Sequence, residues 1–326
     1  MGAAAVVAVG TATGGDGVTP SLAELIALRG IAQASVSARR GAAGVAGPAP
    51  STLRGRGMEY AESRAYAAGD DARHIDWRLT ARSGKPHTKL FQAERERLTL
   101  LVADTSPALY FGTRVRFKSV QAARAGALAA WRAVRDGDRV AALRGSVSEP
   151  PVPPASGPRG ALRVLDALVR WYATPPADDA GLEVALDHAR RLLRPGSRLL
   201  VLADPASVAA IPQQRWPALA AHHEVLVLLL TDPLEVEPPR GMLAFSVASS
   251  GAPSAAAAAS GGASRTRIEL DLASTSERER WRRAFDVEVE DTIATLAARG
   301  VRALRLSTAD ASDAWLALPA TTARSA

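Results

Sequence analysis

The sequence predicts a doubly wound α/β protein built on a mostly parallel sheet, and three observations carry that reading. Short, continuous apolar runs recur at 98–103, 198–203 and 225–230. Runs of this kind suit strands buried on both faces, as in parallel sheets. Stretches with helical spacing of apolar residues separate them, and alternating strand and helix signals imply crossover connections. Each of the three runs is followed closely by an aspartate: Asp104, Asp204 and Asp232. Ligands of open α/β sheets sit outside the carboxyl ends of the strands. Asp104 and Asp204 are therefore expected to share one rim.

The elements follow in order. Residues 1–18 read as a disordered tail. Thr19-Pro20-Ser21 opens a helix, with Ser21 or Thr19 as cap and Pro20 suited to a first turn. Leu22, Leu25, Ile26, Leu28 and Ile31 form its apolar stripe. Residues 39–51 are Gly/Ala/Pro-rich and read as a mobile loop. A dense stretch of aromatic, charged and glycine residues follows, from Arg54 to Asp104. Gly55, Gly57 and Gly69 permit turns, and Gly69-Asp70-Asp71 reads as one with side-chain caps. Residues 75–77 and 88–91 read as extended segments around a Ser83-Gly84 turn. Residues 19–97 thus form one unit, and residues 98–326 an α/β domain.

Within that domain, a helix at 117–134 precedes a strand at 139–143 and a proline-rich loop at 150–158. Helices at 162–172 and 182–193 lead to the strand at 198–203. A partly helical stretch at 208–221 precedes the strand at 225–230. Residues 249–264 are a low-complexity Ala/Gly/Ser loop. A strand at 268–272, a charged amphipathic helix at 276–299 and a strand at 301–306 complete the pattern.

Composition narrows the function. The chain has 326 residues, 47% of them hydrophobic, enough for a sizeable core. It has no cysteine, which excludes disulfides, zinc–thiolate sites and cysteine nucleophiles. The net charge is +7, and arginine supplies nearly all of the excess. That excess is diffuse, so composition bias accounts for it more simply than nucleic-acid binding does. No apolar run approaches the ~20 residues a membrane helix needs. The first residues lack the positive flank of a signal peptide, and Asp16 interrupts them. The expectation is a cytoplasmic protein with no membrane span.

The run RGRGMEY, continuing through RAYAAGDDARHIDWRLTARSGKPHTKLFQAERER, resembles the hallmark of the domain-of-unknown-function 58 family. The segments LLVLAD and EVLVLLLTDPLEVEPP and the helix before GVRALRLST match that family's order. The resemblance covers roughly residues 21–316. It implies a bacterial protein whose C-terminal half is like a von Willebrand factor A domain. It also implies a MoxR-type AAA+ ATPase as partner and no established enzymatic activity. Some members carry N-terminal membrane helices, and this chain resembles the shorter, soluble subgroup.

A von Willebrand A domain often holds a metal on an Asp-x-Ser-x-Ser loop, a threonine and a further aspartate, hard oxygen ligands that suit magnesium. Here Asp104 and Ser106 match the first loop, but Ala108 replaces its second serine. Ala180 stands where the threonine should be, and Asp204 matches the third loop. Asp104, Ser106 and Asp204 would make a degenerate, weak or empty magnesium site. The simpler reading is that Asp104 and Ser106 cap the following turn.

The charges of the signature, Asp70, Asp71, Arg73, Asp76 and Arg82, could hold a catalytic carboxylate pair, but interleaved arginines make ion pairing simpler. Arg64, Tyr66, Gly69, Asp70, Arg73, Asp76, Trp77 and Arg82 are accordingly read as structural, with arginine forks held by aspartates locking the segment onto the sheet. Tyr60, Tyr66 and Trp77 are expected to pack there. The histidines lack zinc spacing, and no Walker A, Rossmann or Gly-x-Ser-x-Gly motif is present. The leading expectation is a non-enzymatic adaptor for a MoxR-type ATPase, with Tyr110 in its contact surface. The alternatives are a metal-dependent hydrolase at the Asp104/Asp204 rim and a basic nucleic-acid-binding module.

Overall fold

The computed structural model describes residues 15–34, 54–67, 70–92, 97–248 and 265–317. Most of the expected tail, the loop at 39–51, Gly69 and the low-complexity loop lie outside the described residues. Ten strands are described: β1 (Arg54–Ala65), β2 (His87–Gln92), β3 (Leu98–Ala103), β4 (Arg139–Arg144) and β5 (Val152–Ala155), then β6 (Arg198–Ala203), β7 (Glu224–Thr231), β8 (Met242–Ala248), β9 (Arg265–Asp271) and β10 (Arg302–Ser307).

Six of them form the central sheet, in the order β10-β7-β6-β3-β4-β5. All neighbours are parallel except β4 and β5. The chain starts at β3, runs outward through β4 to β5, then returns past β3 to β6 and continues to β7 and β10. The direction of winding reverses between β3 and β6. Beyond the carboxyl ends of those two strands lies the crevice such a reversal creates.

Side-chain alternation explains why β3 is apolar throughout. Leu101 and Ala103 join a core shared with helices Lys118–Arg135 and Gly157–Ala173. Leu100 and Val102 face the other way, into a core with helices Gly181–Leu192, Arg215–Ala220 and Glu288–Ala297. Both faces are covered, so a period-2 polar pattern has no place in these strands. The helix Lys118–Arg135 lies close on the sheet. A Cβ on Gly126 would stand 2.9 Å from Leu168 Cδ1 and 3.1 Å from Leu202 Cδ1, so the site favours glycine.

The N-terminal helix Leu22–Ala27 is capped by Ser21, whose Oγ accepts from the Glu24 N–H at 3.2 Å. Leu25 and Leu28 are buried in the first core, while Leu22, Ile26 and Ile31 of the expected stripe are exposed. The helix is fixed by Trp131, whose Nε1 donates to Leu25 O at 3.0 Å, and by a buried Arg124–Glu24 ion pair.

Several local expectations are corrected. Gly55 and Gly57 lie inside β1 rather than in turns, and the pairing with β2 shifts register between Arg54 and Glu59. Glycine in a strand often marks such an irregularity. The proline-rich stretch contains β5, an edge strand, where prolines are tolerated. Residues 242–248 pair with β9 in a hairpin that the sequence reading omitted. The charged helix is broken by a π-helical segment, Arg283–Val287.

Candidate functional site

The carboxyl rim brings Asp104 and Asp204 together as expected. Asp104 ends β3 and is buried. Its Oδ1 accepts from the Ser106 N–H at 2.9 Å, and its Oδ2 from the Asp204 N–H at 3.0 Å. The Ser106 hydroxyl adds a longer bond to Oδ2, at 3.3 Å. Burial pushes the Asp104 carboxyl above the ordinary carboxylate range, against hydrogen bonds from Ser207, Ser106 and Asp204. Asp104 thus caps its own turn and ties two loops together.

Asp204 caps the helix Pro205–Ala209, its Oδ1 accepting from the Ala206 N–H at 3.0 Å. Its other oxygen meets Lys118. The Lys118 ammonium, 2% exposed, donates to Asp204 Oδ2 at 2.7 Å and to Glu235 Oε1 at 2.6 Å. Burial alone would lower the lysine pKa. The Asp204 and Glu235 carboxylates outweigh it, and the pKa is raised. Burial raises that of Glu235, against the attraction of Lys118. An internal cation therefore sits on one of the three side chains that would hold a metal. Magnesium would have to displace an ammonium already matched to two carboxylates.

The rim continues past β7. Asp232 and Glu235 form a capping box at the start of helix Pro233–Val236, with Glu235 Oε2 accepting from the Asp232 N–H at 2.8 Å. Asp232 accepts from the Thr113 N–H at 3.0 Å, from the Thr113 hydroxyl and from the Thr308 hydroxyl at 2.7 Å. Burial acts to raise the Asp232 pKa, but these donors dominate and it is lowered. On the other flank, Thr105 donates to Asp179 at 2.8 Å. Asp178 accepts from the Ser146, Ser148 and Arg144 side chains, which hold its carboxyl far below the usual range. Arg144 Nε also reaches Glu149 at 2.9 Å. Tyr110 is half-buried, and its hydroxyl donates to Trp171 O at 2.6 Å.

The signature segment is organised differently from the expectation. Its principal contacts are internal, among β1, β2 and the short helices Ala72–His74 and Trp77–Ser83, rather than with the central sheet. One expected type of pair is present: Arg64 Nη2 lies 2.6 Å from Asp70 Oδ1. Asp70 also accepts from the Ala67 N–H at 2.9 Å. Asp76 is a helix cap, and among the described residues it has no ion-pair partner. It accepts from the Leu79 N–H at 3.1 Å and the Ser63 hydroxyl at 2.9 Å, and these hold its pKa low. Among the described residues, Arg73 and Arg82 make no ion pair. Arg82 lies in the last helical turn, where the dipole favours a cation without a carboxylate. Trp77, the first residue of that helix, is 70% exposed instead of packed, and Tyr66 is also exposed.

Sequence reasoning missed Lys118, Glu235, Thr113 and Thr308. The Asp-Pro-x-Glu run at 232–235 was a legible capping-box signal. Lys118 stood out only as a lysine in a chain whose basic residues are nearly all arginine.

The model of a family described as protein of unknown function DUF58 matches residues 62–285. Uncharacterized proteins of Mycobacterium bovis and of two strains of Mycobacterium tuberculosis are each 36% identical over 205 residues. The match covers 61% of this chain and 63% of each of those relatives. No solved structure matches.

Proposed function

The chain belongs to the DUF58 family of proteins of unknown function, and on that premise we propose that it is a non-enzymatic adaptor or scaffold, acting in the cytoplasm with a MoxR-type AAA+ ATPase in the maturation of protein complexes. The observation that carries this reading is the closure of the rim. Asp104, Asp204, Lys118, Glu235 and Asp232 are matched to one another or to local backbone donors. Catalysis needs a nucleophile, base or metal-bound water within reach of substrate. A rim whose acids and base are buried and mutually satisfied favours binding over turnover. Lys118 also speaks against the metal-dependent hydrolase.

The strand order, with its antiparallel strand at one edge, supports the finer assignment of a von Willebrand A-type sheet. In that reading the loops beyond β3 form the contact face. Residues 113–115 there are exposed, and Tyr110 stands half-buried at their base. The test is the affinity of Tyr110→Ala for the purified ATPase, with the fold checked by circular dichroism. A loss of about 2 kcal/mol or more supports a contact role. Wild-type affinity in a folded variant removes Tyr110 from the surface.

A further inference from the structure

Guanidinium groups in this chain commonly find carboxylates. Arg64, Arg124, Arg144, Arg198, Arg215 and Arg305 all do. One concavity instead gathers three that do not. Thr113, Arg114, Leu234, Glu237, Pro238, Pro239, Arg240 and Arg278 line a hollow of about 550 Å³. Arg114 comes from the loop after β3, Arg240 from the segment after β7 and Arg278 from helix Thr275–Arg282. Among the described residues, none of these three guanidinium groups has an ion-pair or side-chain hydrogen-bond partner. Three arginines against the single Glu237 leave two positive charges uncompensated in one hollow.

The geometry points to this hollow as the docking site for an acidic peptide segment of a protein partner. A guanidinium presents a planar fork that matches a carboxylate in bidentate fashion. Three forks from three separate elements fit several carboxylates along a chain better than one small anion. Leu234 and the Pro238-Pro239 pair supply an apolar wall for the intervening residues. A single-stranded nucleic acid fits less well. No aromatic residue lines the hollow for base stacking, and Glu237 would face the phosphates. The floor is rigid, because Thr113 is fixed to Asp232 by two hydrogen bonds. This inference rests on the reading of the chain as a binding protein but not on the partner being an ATPase, so its test uses no ATPase.

The experiment is fluorescence anisotropy on the full chain with a fluorescein-labelled oligoglutamate peptide. Parallel arms use a labelled oligolysine peptide and a labelled oligothymidylate strand. The expected result is saturable oligoglutamate binding that weakens as salt rises, with no oligolysine binding. Each arginine is expected to supply about tenfold in affinity, the usual scale for a hydrogen bond to a charged group. The triple variant Arg114→Ala, Arg240→Ala, Arg278→Ala should lose binding, and the corresponding triple lysine variant should retain part of it. If the triple variant does not fold, Arg240→Glu at an exposed position should still lower affinity at least tenfold. Absence of wild-type binding, or unchanged binding in these variants, overturns the proposal. Oligothymidylate binding as tight as that of oligoglutamate, and lost in the same variants, overturns it in favour of nucleic acid.

Discussion

Lys118→Met removes the ammonium while keeping an unbranched side chain in its place. The wild-type ammonium is 2% exposed and touches Asp204 and Glu235 at 2.7 and 2.6 Å. Breaking a buried ion pair by deleting one partner costs ~3–5 kcal/mol, because the other charge stays behind unmatched. A chain of this size loses about 1.5 °C of Tm per kcal/mol, from an unfolding entropy of about 2.1 cal/mol/K per residue. The predicted fall is therefore about 4–7 °C at pH 8. Burial already raises the pKa of Glu235, and its protonation relieves the repulsion, so the deficit should shrink at pH 5. The wild type has its own signature. The folded-state pKa of Lys118 is raised above its unfolded value. Its contribution is then fully present below about pH 10.4 and lost as pH rises through the folded value. The assay is thermal unfolding by circular dichroism across this range. A variant as stable as the wild type, or a deficit equal at pH 5 and pH 8, would refute the reasoning.

Four further outcomes are expected. Millimolar magnesium should leave the wild-type Tm unchanged, because Lys118 occupies the Asp204 carboxylate; a rise of several degrees that Asp104→Ala abolishes would contradict this. Asp76→Ala should cost about 1 kcal/mol, the value of a helix N-cap rather than of a buried ion pair, as read from a urea midpoint. Trp77→Ala, at an exposed site, should stay within about 0.5 kcal/mol by the same assay. Asp232 has a lowered folded-state pKa, so its contribution is present above about pH 3.9 and lost as pH falls through the folded value; Asp232→Asn should flatten the acid limb of a stability–pH curve.

The layers of this fold were legible because the signal is local. The runs ending at Ala103, Ala203 and near Thr231 are apolar on both faces, and the matching strands sit inside the sheet. The meeting of Asp104 and Asp204 followed from topology alone. Their chemistry did not, since Lys118, Asp204 and Glu235 lie far apart in the chain and only the folded sheet joins them. Arginines interleaved with aspartates suggested ion pairs in the signature. The backbone competes for the same carboxylates, however, and it claims Asp76 as a cap. Of the β8–β9 hairpin only the second strand was legible, because a long Ala/Gly/Ser stretch separates the two partners in the sequence.

The central claim, that this chain binds a partner and does not turn over a substrate, is tested most directly by calorimetric titration. The full chain is titrated into a purified MoxR-type AAA+ ATPase, with and without ATP. The account predicts saturable heat at micromolar concentrations that is diminished for Tyr110→Ala. No saturable heat with a folded chain and an ATPase active in its own assay would contradict it.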